Sequence, residues 1–239
     1  MSTVPTSTGA PAVAAATAAM ASLVASLADN KAALGHRYGE WAVSAPTLES
    51  AVAAAAMAQD ELGHARSTYP VIKQLDPDGG EEPGGDRRLA LLDDELPDWS
   101  SFVAANLVVD GVLSTFVAAC RDSSIEPLAQ RARKILQEEG SHRTHGEAWA
   151  RRLCRAGGRD RDELLRRIAD TWQQAARWPG PSDDPGYRAA VEHGMVADGP
   201  DRIRERVRTW LAELLASEGA HVDLPDPGDW AGWDAARRR

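Results

Sequence analysis

Asp60-Glu61-Leu62-Gly63-His64 and Glu138-Glu139-Gly140-Ser141-His142 each set a Glu three residues before a His, with a second acid directly ahead of that Glu. On a helix, positions i and i+3 share a face, with Cβ atoms about 5–6 Å apart. One such pair can chelate a metal ion from a single helix. Two pairs on facing helices can hold two ions between them. Carboxylate-bridged di-iron bundles work this way, with two Glu-x-x-His helices and two further helices that give one carboxylate each.

Two carboxylates stand in the right order to complete such a set. Glu40 ends Leu34-Gly35-His36-Arg37-Tyr38-Gly39-Glu40, and Asp110 is the single charge between Ser100 and Cys120. A lone ionised carboxylate in so apolar a run is costly to bury without a partner. The expected metal ligands, and with them the catalytic residues, are therefore Glu40, Glu61, His64, Asp110, Glu139 and His142. A metal-bound His usually gives its other ring N–H to a carboxylate, and Asp60 and Glu138 are placed to serve that role across the bundle. Helical neighbours of three of the four segments are apolar: Ala54, Met57 and Ala58 near Glu61, Ile135 and Trp149 near Glu139, Leu107 and Leu113 near Asp110. Glu40 has His36, Arg37 and Ala33 beside it. Gly63 and Gly140 sit inside the two motifs, where each costs about 1 kcal/mol relative to Ala. That repeated cost points to close packing or to space beside the metals.

The elements that must position these residues are all helical. Ala is abundant, alternating β-branched runs are scarce, and Gly and Pro cluster between segments. Helices are expected over about 18–43, 48–75, 99–121 and 125–156, with Thr47 as an N-cap and Pro70 kinking or stopping the second. The Pro/Gly/Asp-rich stretch 76–98 reads as the one long crossover that ferritin-like bundles need. After Gly157-Gly158, further helices are expected over about 160–177, 187–196 and 200–217, packed on the bundle through Trp172, Trp178 and Trp210. The fold class is thus all-α, a ferritin-like four-helix bundle with additional C-terminal helices. Its parts are a disordered tail (1–17), the di-metal bundle (18–156) and a helical extension (157–239).

Composition narrows the function classes. A net charge of −9 argues against a nucleic-acid binder, which is usually basic. Lys occurs only at 31, 73 and 134, the remaining basic residues being Arg. Thr8 to Ala28 is uncharged, but no Lys or Arg precedes Lys31, so a secretory signal is not expected. Ala is too weakly apolar for that stretch to read as a membrane span. Cys120 and Cys154 fall inside expected helices and read as reduced thiols, which fits a cytoplasmic protein. No flavin, nicotinamide or iron–sulfur motif is visible.

Three segments carry a resemblance. Leu34-Gly35-His36-Arg37-Tyr38-Gly39-Glu40-Trp41, Ala45-Pro46-Thr47-Leu48-Glu49 and Ala58-Gln59-Asp60-Glu61-Leu62-Gly63-His64-Ala65-Arg66 resemble the phenylacetic-acid catabolic family. These are the ferritin-like subunits of the bacterial multicomponent phenylacetyl-CoA epoxidase. The resemblance implies two kinds of subunit on one fold. One carries a di-iron site and oxidises an aromatic acyl-CoA thioester; the other is a structural partner with a degenerate site. By motif, the six expected ligands match the positions of the catalytic kind, whereas Met57 stands where that kind is expected to carry a polar or basic residue. The leading expectation is a non-haem di-iron monooxygenase with two Fe ions (Mn or a mixed pair being compatible) and O2 as co-substrate. It would take electrons from a separate reductase and oxygenate an organic substrate such as an acyl-CoA thioester. The alternative is a non-catalytic subunit that holds a catalytic paralogue. Either form is expected to be a homo- or hetero-oligomer.

Overall fold

The structure, a computed structural model, describes residues 9–77 and 86–239, and regular structure among them is helical throughout. Helix α1 (Gly9–Trp41) pairs along its length with α2 (Leu48–Leu75). A 3-10 turn (Ala90–Leu92) follows in the crossover. Then α3 (Trp99–Ala104), a π-helical turn (Ala105–Asp110) and α4 (Gly111–Ala119) run on as one rod, and α5 (Glu126–Ala156) completes the bundle. Outside it lie α6 (Gly158–Ala175), α7 (Pro185–Glu192) and α8 (Pro200–Ala216).

α1 begins at Gly9, ahead of the expected residue 18. The reason is local: the run after Gly9 is mostly Ala, the strongest helix former. Residues 1–8 of the expected tail, and 78–85 of the expected crossover, lie outside the described residues. α2 starts where its cap predicts, with Thr47 Oγ1 accepting from the Ser50 N–H at 3.2 Å. It continues through Pro70 to Leu75, with Pro70 on the exposed face.

The core stripe of α1 is Met20, Leu23, Leu27, Leu34 and Tyr38. Gly35 lets α2 come close to it. A Cβ there would lie 3.0 Å from Leu62 Cγ and 3.1 Å from Glu61 Cβ. A similar constraint holds between α5 and the π turn, where a Cβ at Gly146 would lie 1.9 Å from Asn106 Oδ1. A π turn adds a residue to the helical repeat and is commonly found at functional sites; this one ends on Asp110.

α8 packs on α4 and α5, with the Trp210 ring 3.0 Å from where a Gly111 Cβ would be. Trp172 and Trp178 are fully buried. The Trp178 indole donates to Ser26 Oγ on α1 at 2.8 Å and meets the Phe116 ring edge-on at 5.3 Å. The extension is therefore bonded into the bundle. Two stretches, Pro11–Trp41 and Trp99–Ala119, are long and apolar enough by length and composition to cross a membrane. Lys31 of the first and Asp110 of the second are buried and pair with each other at 2.6 Å.

Candidate functional site

Glu61, Asp110, Glu139 and His142, from α2, the π turn and α5, are all buried, and each offers a ligand atom within 4.8 Å of the others. His64 joins them on the α2 side, its Nδ1 lying 3.4 Å from Glu139 Oε1 and 3.7 Å from Glu61 Oε2. Five of the six expected ligands are thus brought together. Glu40 is not among them. It lies at the exposed end of α1, paired with Arg37 at 3.0 Å.

The place of a helix-α1 ligand is taken by Lys31. Its Nζ donates to Asp110 Oδ1 at 2.6 Å, Glu139 Oε1 at 2.6 Å and Glu61 Oε1 at 3.0 Å. An ammonium has three donors and no acceptor, so three carboxylates saturate it. Lys31 is only 1% exposed. Burial alone would push its ammonium down, but the three carboxylates outweigh that and hold it well above the ordinary lysine range.

The outer acids are placed across the bundle. Glu138 Oε2 stands 2.6 Å from His64 Nε2, and Asp60 Oδ2 stands 3.2 Å from His142 Nε2. His142 Nδ1 faces Asp110 Oδ2 and Glu61 Oε1, each at 3.3 Å. Burial opposes charge on both rings. Glu139 and Glu61 nevertheless raise His64 to about 9, and Asp110 and Glu61 raise His142 to about 11. Asp110 is held well below the usual carboxylate range because Lys31 and His142 overcome its burial. Glu61 moves the other way, pushed up by burial despite Lys31. With both imidazoles protonated, three cations face three inner carboxylates.

A di-metal centre of the expected kind needs four carboxylates and two His. These residues supply three carboxylates, two His and an ammonium in the middle. A metal pair does not fit beside Lys31, because the ammonium takes up oxygens of all three carboxylates. Yet the shell is not wholly closed by protein groups. Glu61 Oε2 and His64 Nδ1 are buried and have no hydrogen-bond partner, an arrangement that leaves ligand atoms available on that side.

Several residues of the site escaped the motif reading. Lys31 is the foremost. Ser114 Oγ donates to Glu139 Oε2 at 2.7 Å and lies 3.2 Å from Asp110 Oδ1. Asn106 donates to the Tyr38 hydroxyl at 3.2 Å beside the cluster. Gly63 and Gly140 are not close-packed: a Cβ at either would meet nothing within 4 Å. His36 is exposed, and His145 packs against Trp99 and Phe102. A cleft of about 740 Å³ between α4, α5 and α8 reaches the cluster past Ser114, Gly140, Arg143 and Trp210. Arg143 lies over the Trp210 ring at 4.3 Å and pairs with Glu147 at 2.9 Å.

Comparison with known proteins agrees with this architecture. The chain is 25% identical over 197 residues, 80% of its length, to a 1,2-phenylacetyl-CoA epoxidase subunit of Escherichia coli (strain K12), of which it covers 77%. A family model described as phenylacetic acid catabolic protein matches residues 1–238. The chain belongs to the phenylacetic acid catabolic protein family.

Proposed function

We propose that this chain is a subunit of a multicomponent oxygenase acting on an aromatic acyl-CoA thioester, and that it holds an oxidising paralogue in place of carrying a metal pair itself. The observation that carries this reading is the Lys31 ammonium seated on Glu61, Asp110 and Glu139. One fixed positive charge on α1 neutralises the acids that two metal ions would otherwise bridge. A buried ammonium with three carboxylates keeps its partners ordered, since an unpaired buried charge is strongly disfavoured. The chain then keeps its helical bundle without a metal pair.

In this reading, oxygen activation and electron delivery from a reductase belong to the partner subunit. This chain supplies a docking face and stabilises the complex. Val43, Leu48 and Val52 are 90%, 77% and 62% exposed; Leu48 and Val52 share one face of α2, and Val43 lies in the adjoining turn. Such apolar exposure suits a contact between subunits. A pairing of like folds, related by a pseudo-two-fold axis, follows the usual preference for closed symmetric assemblies. The two buried free thiols accord with a cytoplasmic setting.

A second reading, a di-iron oxygenase with Fe or Mn in the site and O2 as co-substrate, keeps two observations in its favour. They are the four-residue ligand group and the unpartnered Glu61 Oε2 and His64 Nδ1. It requires Lys31 to leave its three carboxylates.

The test is metal analysis of the full chain expressed with added iron or manganese, alone and together with a catalytic paralogue. The proposal expects less than about a tenth of a metal per chain for the lone protein, and co-purification with the paralogue. Two metals per lone chain would overturn it in favour of the second reading.

A further inference from the structure

We infer that Lys31 is a lock on a latent metal centre: the ammonium alone keeps metal ions out, and changing this one residue converts the chain into a metal-binding protein. The inference rests on the subunit reading above and deepens it. The ammonium and a metal would compete for the same carboxylates, because Lys31 touches three of the four residues of the ligand group. The rest of the coordination shell is already ordered. His64 and His142 each face the cluster through Nδ1, and their Nε2 atoms stand against Glu138 and Asp60. That outer contact is what fixes the tautomer of a metal-binding imidazole.

A second observation points the same way. Glu61 is 0% and His64 3% exposed, yet Glu61 Oε2 and His64 Nδ1 have no hydrogen-bond partner. Buried polar atoms are normally satisfied. Lys31 bonds Oε1 of Glu61 and leaves its Oε2 without a donor, 3.7 Å from His64 Nδ1. A divalent cation accepts a carboxylate oxygen and an imidazole nitrogen together; an ammonium, with donors only, is already saturated.

The arrangement around Lys31 also tells against simple loss of the site. Gly35, one turn beyond Lys31, permits the close approach of α1 to Glu61. Ser114 holds the outer oxygen of Glu139. Position 31 is thus directed at the same point as the two motif helices, and a carboxylate supplied there by Lys31→Glu would bring the count to four carboxylates and two His.

The experiment uses the full chain and Co2+ or Mn2+ as the probe. Wild type, Lys31→Glu and Lys31→Ala are each dialysed with excess metal and desalted. Metal per chain, the visible Co2+ ligand-field bands and the thermal midpoint with and without metal are then measured. Lys31→Glu should bind at least tenfold more metal than wild type, with Co2+ bands that disappear when His142→Ala is added, and its midpoint should rise with metal. Lys31→Ala, which opens the cavity without a fourth acid, should bind more weakly but above wild type. Variants that unfold alone but fold on adding Co2+ or Mn2+ would give the same support, since metal binding to such sites is linked to folding. Both variants metal-free, whether folded or beyond rescue by metal, would overturn the lock while leaving the subunit reading in place. Wild type loaded with metal under these conditions would instead overturn the subunit reading.

Discussion

Lys31→Met removes one charge and keeps most of the side-chain length. Wild type balances Lys31 and two imidazoles against Glu61, Asp110 and Glu139, all within 3.7 Å contacts. The variant leaves three buried carboxylates facing two imidazoles. Removing one partner of a buried ion pair destabilises by about 3–5 kcal/mol. For a chain of this size, 1 kcal/mol moves the thermal midpoint by about 2–4 °C, so the expected loss is about 6–20 °C. The pH dependence carries its own signature. Glu61, already pushed up by burial, loses the ammonium that opposes that shift, so its folded pKa moves further above its unfolded one. A group so shifted penalises the fold least below its unfolded pKa and most once pH has risen past its folded pKa. The midpoint difference between wild type and variant should therefore be larger at pH 7 than at pH 4.5. The assay is thermal unfolding by circular dichroism at both pH values with a chelator present. A variant within about 2 °C of wild type at pH 7 would refute the counter-ion role of Lys31, and with it the reasoning that excludes a metal pair.

Glycines give a contrast in sign. Gly146→Ala should destabilise by about 1–3 kcal/mol, because its Cβ would fall 1.9 Å from Asn106 Oδ1; Gly63→Ala and Gly140→Ala, with nothing within 4 Å, should stabilise the lone chain by up to about 1 kcal/mol, as urea titration would report. Metal-free wild type should lose stability as pH rises above 6.5. The raised His64 and His142 contribute fully below their unfolded value, and that contribution disappears as pH passes about 9 and about 11; a thermal midpoint that climbs steadily from pH 6.5 to 9 would contradict this linkage. Leu48→Asp with Val52→Asp should leave the midpoint of the lone chain within about 2 °C, because both side chains are exposed, and should reduce co-purification with the catalytic paralogue at least tenfold; unchanged recovery would remove this face as the contact.

Much of the scaffold was legible because its signals are local. The Thr47 cap, the apolar periodicity of the rods and the Pro/Gly punctuation each act within a turn or two of helix. The two Glu-x-x-His motifs were legible for the same reason, since their spacing alone places Glu and His on one face. The π turn was not. Nothing in Ala105-Asn106-Leu107-Val108-Val109-Asp110 marks an added residue, and the contact that Asn106 of this turn makes with Gly146 of α5 is a tertiary one that no local signal records. Of the two alternatives at Gly63 and Gly140, close packing is excluded and open space is what the structure has; a glycine shows only that a side chain is missing, not what lies opposite.

Glu40 and Lys31 differ in a way the helical period does record. Leu23, Leu27, Leu34 and Tyr38 are buried, and steps of four, seven and four residues keep them on one face of α1. Lys31 divides the middle step into four and three, so it lies on that stripe. Glu40, two residues past Tyr38, is turned about 200° from it and emerges beside Arg37. Motif logic sought a carboxylate and so passed over a cation at the right phase. The lesson is chemical as well as geometric. A cluster of buried acids requires positive charge, but that charge can be a metal ion or an ammonium fixed to the chain. Glu-x-x-His pairs record the acids and not the cation. Here the cation within reach of the acids is Lys31, on α1, a helix that carries neither motif.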